Sequence, residues 1–119
     1  MPTESESERL IAEIHREFRE GLPARLETMR ESLLTLSEGY DSQAVELFYR
    51  TAHSLKGTAP SFGADVLVPP SSALAEVGRR WFEDGGLNVE EVSAAFAKLE
   101  QLSAAMAEYA AETEDGGAA

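Results

Sequence analysis

One of the chain's two histidines, His53, stands in a helix-forming stretch with Lys56 three residues on and Gly57 four residues on. Offsets of three and four place all three on one helical face. An unperturbed imidazole titrates near about 6.5, so much of it is a neutral nucleophile at neutral pH. Lys56 can bring a mobile positive charge to incoming anionic oxygens. Gly57 empties the space beside the ring and costs about 1 kcal/mol of helix propensity relative to alanine. Phosphoryl transfer suits such a face: the nitrogen approaches phosphorus in line, the equatorial oxygens need positive charge, and the partner needs room. On spacing alone, the competing reading is an ordinary surface histidine next to a glycine that lets helices pack.

Little else in the chain asks for chemistry. His15 neighbours Ile14 on an acidic segment with no matching partners and reads as structural. Around His53 no His, Asp or Glu stands four residues away on the same face, so a metal site is not expected and none is assigned. There is no cysteine, which excludes disulfides, thiolate nucleophiles and thiolate metal sites. No Gly-rich phosphate loop is present, so no nucleotide site is expected. The charge is one-sided, with 22 acidic residues against 10 basic ones and a net of −12. Nucleic acid and anionic membranes need basic patches and are disfavoured as partners. Against that background Arg50 and Lys56 stand out as cations flanking His53, a local positive spot for an anion.

The elements that must carry this face are helical nearly throughout. At 119 residues and 43% apolar content, the chain is one domain's worth with a real core. Leu10, Ile14, Phe18, Leu22, Leu26, Met29, Leu33 and Leu36 step by three or four, which predicts one long first helix, kinked near Pro23. Gly39 to Ser42 breaks it, with Asp41 as N-cap of the next helix. Phe48, Ala52, Leu55, Ala59, Phe62 and Val66 predict the buried stripe of that second helix, and Pro60 predicts a bend or broken turn within it. Pro69-Pro70 is expected to end it, with Ser71 or Ser72 capping a third helix. That helix buries Leu74, Val77 and Trp81 and stops at Gly85-Gly86. Asn88 and Glu91 read as a capping box for a fourth, which carries Val89, Val92, Phe96, Leu99, Met106 and Tyr109. The expected fold is therefore all-α, an antiparallel up-down four-helix bundle over residues 9–111. Residues 1–8 read as a flexible acidic N-terminus, and 112–119 as a disordered tail or linker stub. In such a bundle the third helix runs beside His53, making Glu76, Arg79 and Arg80 candidates to support the imidazole.

The run His53-Ser54-Leu55-Lys56-Gly57-Thr58-Ala59, followed by Phe62-Gly63-Ala64 and Leu67, closely resembles the phosphorylation-site helix of histidine-containing phosphotransfer (HPt) domains. Leu22-Pro23 and Arg25-Leu26 resemble that family's first helix, and together the matches cover most of residues 10 to 105. The resemblance implies that His53 is the phospho-acceptor, through the ring nitrogen furthest from the backbone. It implies that Lys56 steadies the phosphoryl group and that Gly57, with Gly63, serves access and packing. Relatives often place a Glu or Gln on the next helix to hydrogen-bond the imidazole, but here that position is Ala75, with Glu76 beside it. The paired prolines are a second departure.

The expected function is that of a phosphorelay intermediate in two-component signalling, exchanging phosphoryl groups with aspartates on response-regulator receiver domains. A hybrid histidine kinase is a further candidate partner. Tyr49, Arg50, Pro60 and Ala64 are the expected partner surface. No cofactor is expected on this chain, since the receiver brings the Mg2+. It is expected to be a carrier rather than an enzyme, cytoplasmic, and monomeric by default. One alternative keeps the module as the N-terminal phosphotransfer domain of a longer chemotaxis-type histidine kinase. Another is a non-catalytic helical docking protein. A hydrolase using His53 as general base lacks a nucleophile at a pairing distance in sequence.

Overall fold

The computed structural model describes residues 4–118, and side chains for residues 5–113. Among the described residues there are four long helices and no strand: α1 (Glu4–Glu38), α2 (Ser42–Thr58), α3 (Val68–Asp84) and α4 (Val89–Ala118). Two 3-10 turns, Ala59–Phe62 and Asp65–Leu67, link α2 to α3. α1 packs on α2 and α4, and α3 packs on the same two helices, so neighbours around the bundle follow chain order. The sequence expectation of an all-α four-helix bundle holds.

The core is the set of apolar stripes turned inward. Phe18, Leu22, Met29, Leu33 and Leu36 come from α1, and Val45, Phe48, Ala52 and Leu55 from α2. α3 adds Leu74, Val77 and Trp81, and α4 adds Val92, Leu99, Leu102, Met106 and Tyr109. The stripe on α1 begins at Phe18. Leu10 and Ile14 continue its register but are 57% and 52% exposed, because the shorter α2 and α3 do not reach them. Val89, expected inside, is 69% exposed. Leu26, Phe62, Val66 and Phe96 are partly buried at the core's edge.

α1 is one helix through Pro23, which has no N–H to give the Arg19 carbonyl. Buried Leu22 and Met29 on either side hold the helix against its neighbours. At the ends, helix extends beyond the sequence expectation. Residues 4–8 belong to α1 and residues 112–118 to α4, where a flexible N-terminus and a tail were expected. Residues 1–3 and 119 lie outside the described residues.

Local signals set most boundaries. Asp41 accepts the Ala44 N–H at 2.9 Å as the N-cap of α2. Gly85, at φ +66, closes α3 in the left-handed conformation that costs glycine little. Asn88 accepts the Glu91 N–H at 2.8 Å, but Glu91 does not return the bond to Asn88. Its carboxylate instead accepts from Trp81 Nε1 at 3.0 Å and Arg80 at 3.3 Å, tying α4 to α3.

The α2–α3 junction differs from the sequence expectation. The break falls at Thr58 rather than at Pro69-Pro70. Pro60 removes a helical N–H, the chain tightens into a 3-10 turn, and Gly63 at φ +65 reverses it. Pro69 and Pro70 lie inside the first turn of α3, where a missing N–H leaves no helical carbonyl unpaired. Ser71 is consequently buried within the helix and caps nothing.

α2 and α3 come into close contact at Gly78. A Cβ placed there would stand 3.0 Å from Tyr49 Cα and 3.1 Å from the Phe48 ring. Phe48 packs in turn on Trp81, ring centroids 5.6 Å apart. Gly78→Ala should therefore destabilise the fold by about 1–3 kcal/mol through overpacking, beyond the about 1 kcal/mol of helix propensity it gains. Gly21→Ala, in open space on α1, should instead stabilise by up to about 1 kcal/mol. Urea denaturation of the two variants checks this: an unchanged or higher midpoint for Gly78→Ala would show that the helices can separate without cost.

Candidate functional site

His53 projects from the middle of α2 into solvent. Its neighbour Ala52 is fully buried, and one residue turns the helix by about 100°. With Ala52 and Leu55 seated in the core, the imidazole must emerge on the flank of the buried stripe. Its ring packs at 5.7 Å, tilted by 49°, against that of Tyr49 one turn earlier. Tyr49 lies half-buried between His53 and the exposed ring of Phe82 on α3, 6.2 Å away. Among the described residues no side chain or backbone group hydrogen-bonds the imidazole.

Lys56 and Gly57 are exposed on the same side of α2. Lys56 makes no ion pair within the described residues, yet its charge is felt by Glu76 on α3. Gly57 has nothing within 4 Å of an added Cβ. No internal packing requires its missing side chain; the empty space faces outward. Gly63 acts differently, since its left-handed backbone turns the chain after the 3-10 helix. Its N–H donates to the Pro60 carbonyl at 3.2 Å.

Among the described residues, none of the three residues expected behind the imidazole hydrogen-bonds or ion-pairs with it. Glu76 pairs with Arg79, which also holds Glu83 at 2.7 Å. The Arg79 hydrogen bond foremost, with the charges of Arg79, Arg80 and Lys56, keeps the Glu76 carboxyl below its usual range. The two carboxylates hold the Arg79 guanidinium firmly charged. Arg80 is directed to Glu91. Ala75 faces the core at 4% exposure, so Glu76, one residue further round the helix, points outward.

The expected partner surface is corrected at one position. Ala64 is fully buried, drawn into the core as its N–H closes on the Ala59 carbonyl at 2.9 Å. Pro60 and Arg50 are exposed, and Arg50 pairs with Glu46 at 2.7 Å. The positive spot therefore rests mainly on Lys56. Phe82 and Gly78 belong to this region without having been singled out from sequence. Gly78 carried the same mid-helix glycine signal as Gly57, and Phe82 is an aromatic off the buried stripe.

The loop after the site is pinned from beneath. Phe62 stacks on Phe18 at 4.2 Å and receives the edge of His15 at 5.1 Å. The Tyr109 hydroxyl donates to the Phe62 carbonyl at 3.1 Å. His15 is thus a packing residue remote from His53. Among the described residues, no group of three or more His, Cys, Asp or Glu side chains is arranged to hold a metal ion. No helix among them is long and apolar enough to cross a membrane.

An exposed, unbonded imidazole beside a free ammonium and an empty glycine site can accept a phosphoryl group from a large partner. No curated protein and no solved structure matches the chain. The family model described as Hpt domain matches residues 13–112, nearly the whole bundle and both helices that frame His53. The chain belongs to the Hpt domain family and has a histidine phosphotransfer role in two-component signalling.

Proposed function

We propose that this protein is a phosphorelay carrier in which His53 takes a phosphoryl group from one receiver aspartate and passes it to another. The transfer begins with the neutral nitrogen Nε2 in line with the phosphorus of an aspartyl phosphate. The N–P bond forms as the P–O bond to the aspartate breaks, and the electron pair leaves with the carboxylate. The reverse step regenerates the neutral imidazole. Lys56 meets the charge on the equatorial oxygens, and Gly57 leaves room for the approaching domain. Tyr49, Arg50 and Pro60 belong to the surface that domain would cover. The receiver supplies Mg2+ and its acidic pocket; this chain contributes the nucleophile and its setting. Placement in the cytoplasm and a monomeric state are part of the same proposal.

The observation that carries this reading is the imidazole itself, exposed on a rigid helix and uncommitted to any hydrogen bond among the described residues. His15, by contrast, is half-buried with its ring edge set against Phe62, whereas the His53 ring rests on Tyr49 and still stays open to solvent.

Three outcomes test it. Incubated with phosphorylated receiver domains, the protein should gain an acid-labile, alkali-stable phosphate that His53→Gln abolishes; label persisting in that variant would move the acceptor elsewhere. Lys56→Ala should slow transfer by about tenfold, equivalent to about 1.4 kcal/mol of transition-state stabilisation, with the circular dichroism unchanged. A wild-type rate would remove Lys56 from the mechanism. Gly57→Gln should keep or raise the melting temperature, because among the described residues nothing beyond its own stretch of helix lies within 4 Å of an added Cβ, while transfer from a receiver slows. Undiminished transfer would show that the empty position is not an approach path.

A further inference from the structure

The wall of α2 that carries Arg50 and Ser54 also forms one side of an open groove against α1. The groove has a volume of about 400 Å³, and Arg25, Thr28, Leu47, Arg50, Thr51 and Ser54 contribute to its lining. No carboxylate lines it, in a chain with 22 acidic residues and 10 basic ones. Arg25 makes no ion pair among the described residues. Its Nη1 is shielded from solvent without a hydrogen-bond partner, and its guanidinium carbon lies 5.8 Å from the centre of the Phe18 ring. Arg50 is paired with Glu46 alone, so the two arginines and this single acid leave one positive charge uncompensated.

The hydroxyls divide by role. Thr28 and Thr51 donate to the Ala24 and Leu47 carbonyls of their own helices. The Ser54 hydroxyl has no partner among the described residues and remains free to donate to an anion. Leu47, half exposed at 51%, adds an apolar wall. An inorganic anion would leave Leu47 bare, whereas a carboxylate on a short aliphatic stem covers it while the head reaches the arginines.

We propose that the groove between α1 and α2 is a docking slot for an acidic side chain of the protein that exchanges phosphoryl groups with His53. Ser54 follows His53 directly and Arg50 precedes it by one turn, so an acid seated there registers the partner on the same helix that carries the nucleophile. The proposal rests on the phosphotransfer reading of His53. Its role is positioning and affinity, without contact to the reacting atoms.

The test uses the full chain and a receiver domain, prepared as its aspartyl phosphate, that labels His53. Arg50→Glu should raise the KM for that receiver by about tenfold and leave the maximal transfer rate within about twofold, as loss of a rim charge does. Arg25→Gln should act in the same direction, and Arg16→Glu, on a remote face of α1, should change neither parameter. The wild-type KM should rise with salt, and less steeply in Arg50→Glu. Because Arg25 abuts the core, circular dichroism verifies its variant; the side chain of Arg50 is 75% exposed and carries the test if Arg25→Gln unfolds. A wild-type KM and salt dependence in Arg50→Glu, with His53 labelled normally in the unaltered protein, overturns the slot alone. An unaltered protein whose His53 takes label neither from receivers nor from phosphoramidate overturns the phosphotransfer reading and the slot with it.

Discussion

The seating of α2 against α3 is the constraint on which the site depends. Helix α2 has 17 residues, too short to be rigid in isolation, so its conformation is a consequence of tertiary packing. Gly78 lets the backbone of α3 come within contact of Tyr49, and Phe48 locks against Trp81 beside it. Trp81 is held in turn by Glu91 at the start of α4. Once Phe48, Ala52 and Leu55 are fixed in the core, the direction of every residue between them is fixed by the helical turn. His53 emerges on the flank and Lys56 and Gly57 follow on the same side. An aromatic pair and a missing methyl behind the helix thus aim an imidazole that no hydrogen bond holds among the described residues.

The end of α2 is governed by a second constraint. The helix stops at Thr58, shortly after the residues that carry the proposed chemistry, because Pro60 cannot sustain the ladder. The segment beyond Thr58 is held down by side-chain packing rather than by a continuing helix. Phe62 lies on Phe18, and α4 reaches across to bond its carbonyl through Tyr109. Long α1 and α4 therefore frame both the core and the turn beyond the site.

Most of this was legible because helical period and end signals are local. The stripes centred on Met29, Phe48, Trp81 and Leu99, the Asp41 cap and the Gly85 stop all follow from neighbours within a turn or two. The readings that failed needed information about other helices. Leu10 and Ile14 keep the period of the α1 stripe, but burial also requires a partner helix of sufficient reach. Helical continuation from His53 would put Ala64 on the surface, and the turn at Gly63 sends it inward. Glu76, Arg79 and Arg80 do lie on the neighbouring helix, yet their directions depend on how α3 rotates about Ala75. Their own ion pairs, within α3 and to Glu91, then decide where their charges point.

The unsupported imidazole has a physical consequence for a carrier. A carboxylate hydrogen-bonded behind the ring would favour one tautomer and stabilise the cation that forms on phosphorylation. Here Arg79 occupies Glu76, and the carboxyl nearest to that role is spent. Lys56 makes no ion pair among the described residues, which leaves its ammonium available to incoming anionic oxygens. The missing hydrogen bond would leave a phosphorylated His53 less stabilised than a carboxylate-backed ring. In the proposed relay, where His53 would release its phosphoryl group to the next partner, tight stabilisation would trap the group on this chain, because binding shared by ground and transition states does not speed the step. On that reading the partner supplies the catalytic power. The surface around His53 suits the access and docking proposed for it, with Gly57 open, Tyr49 and Phe82 presenting aromatic area, and Arg25 and Arg50 lining the groove alongside.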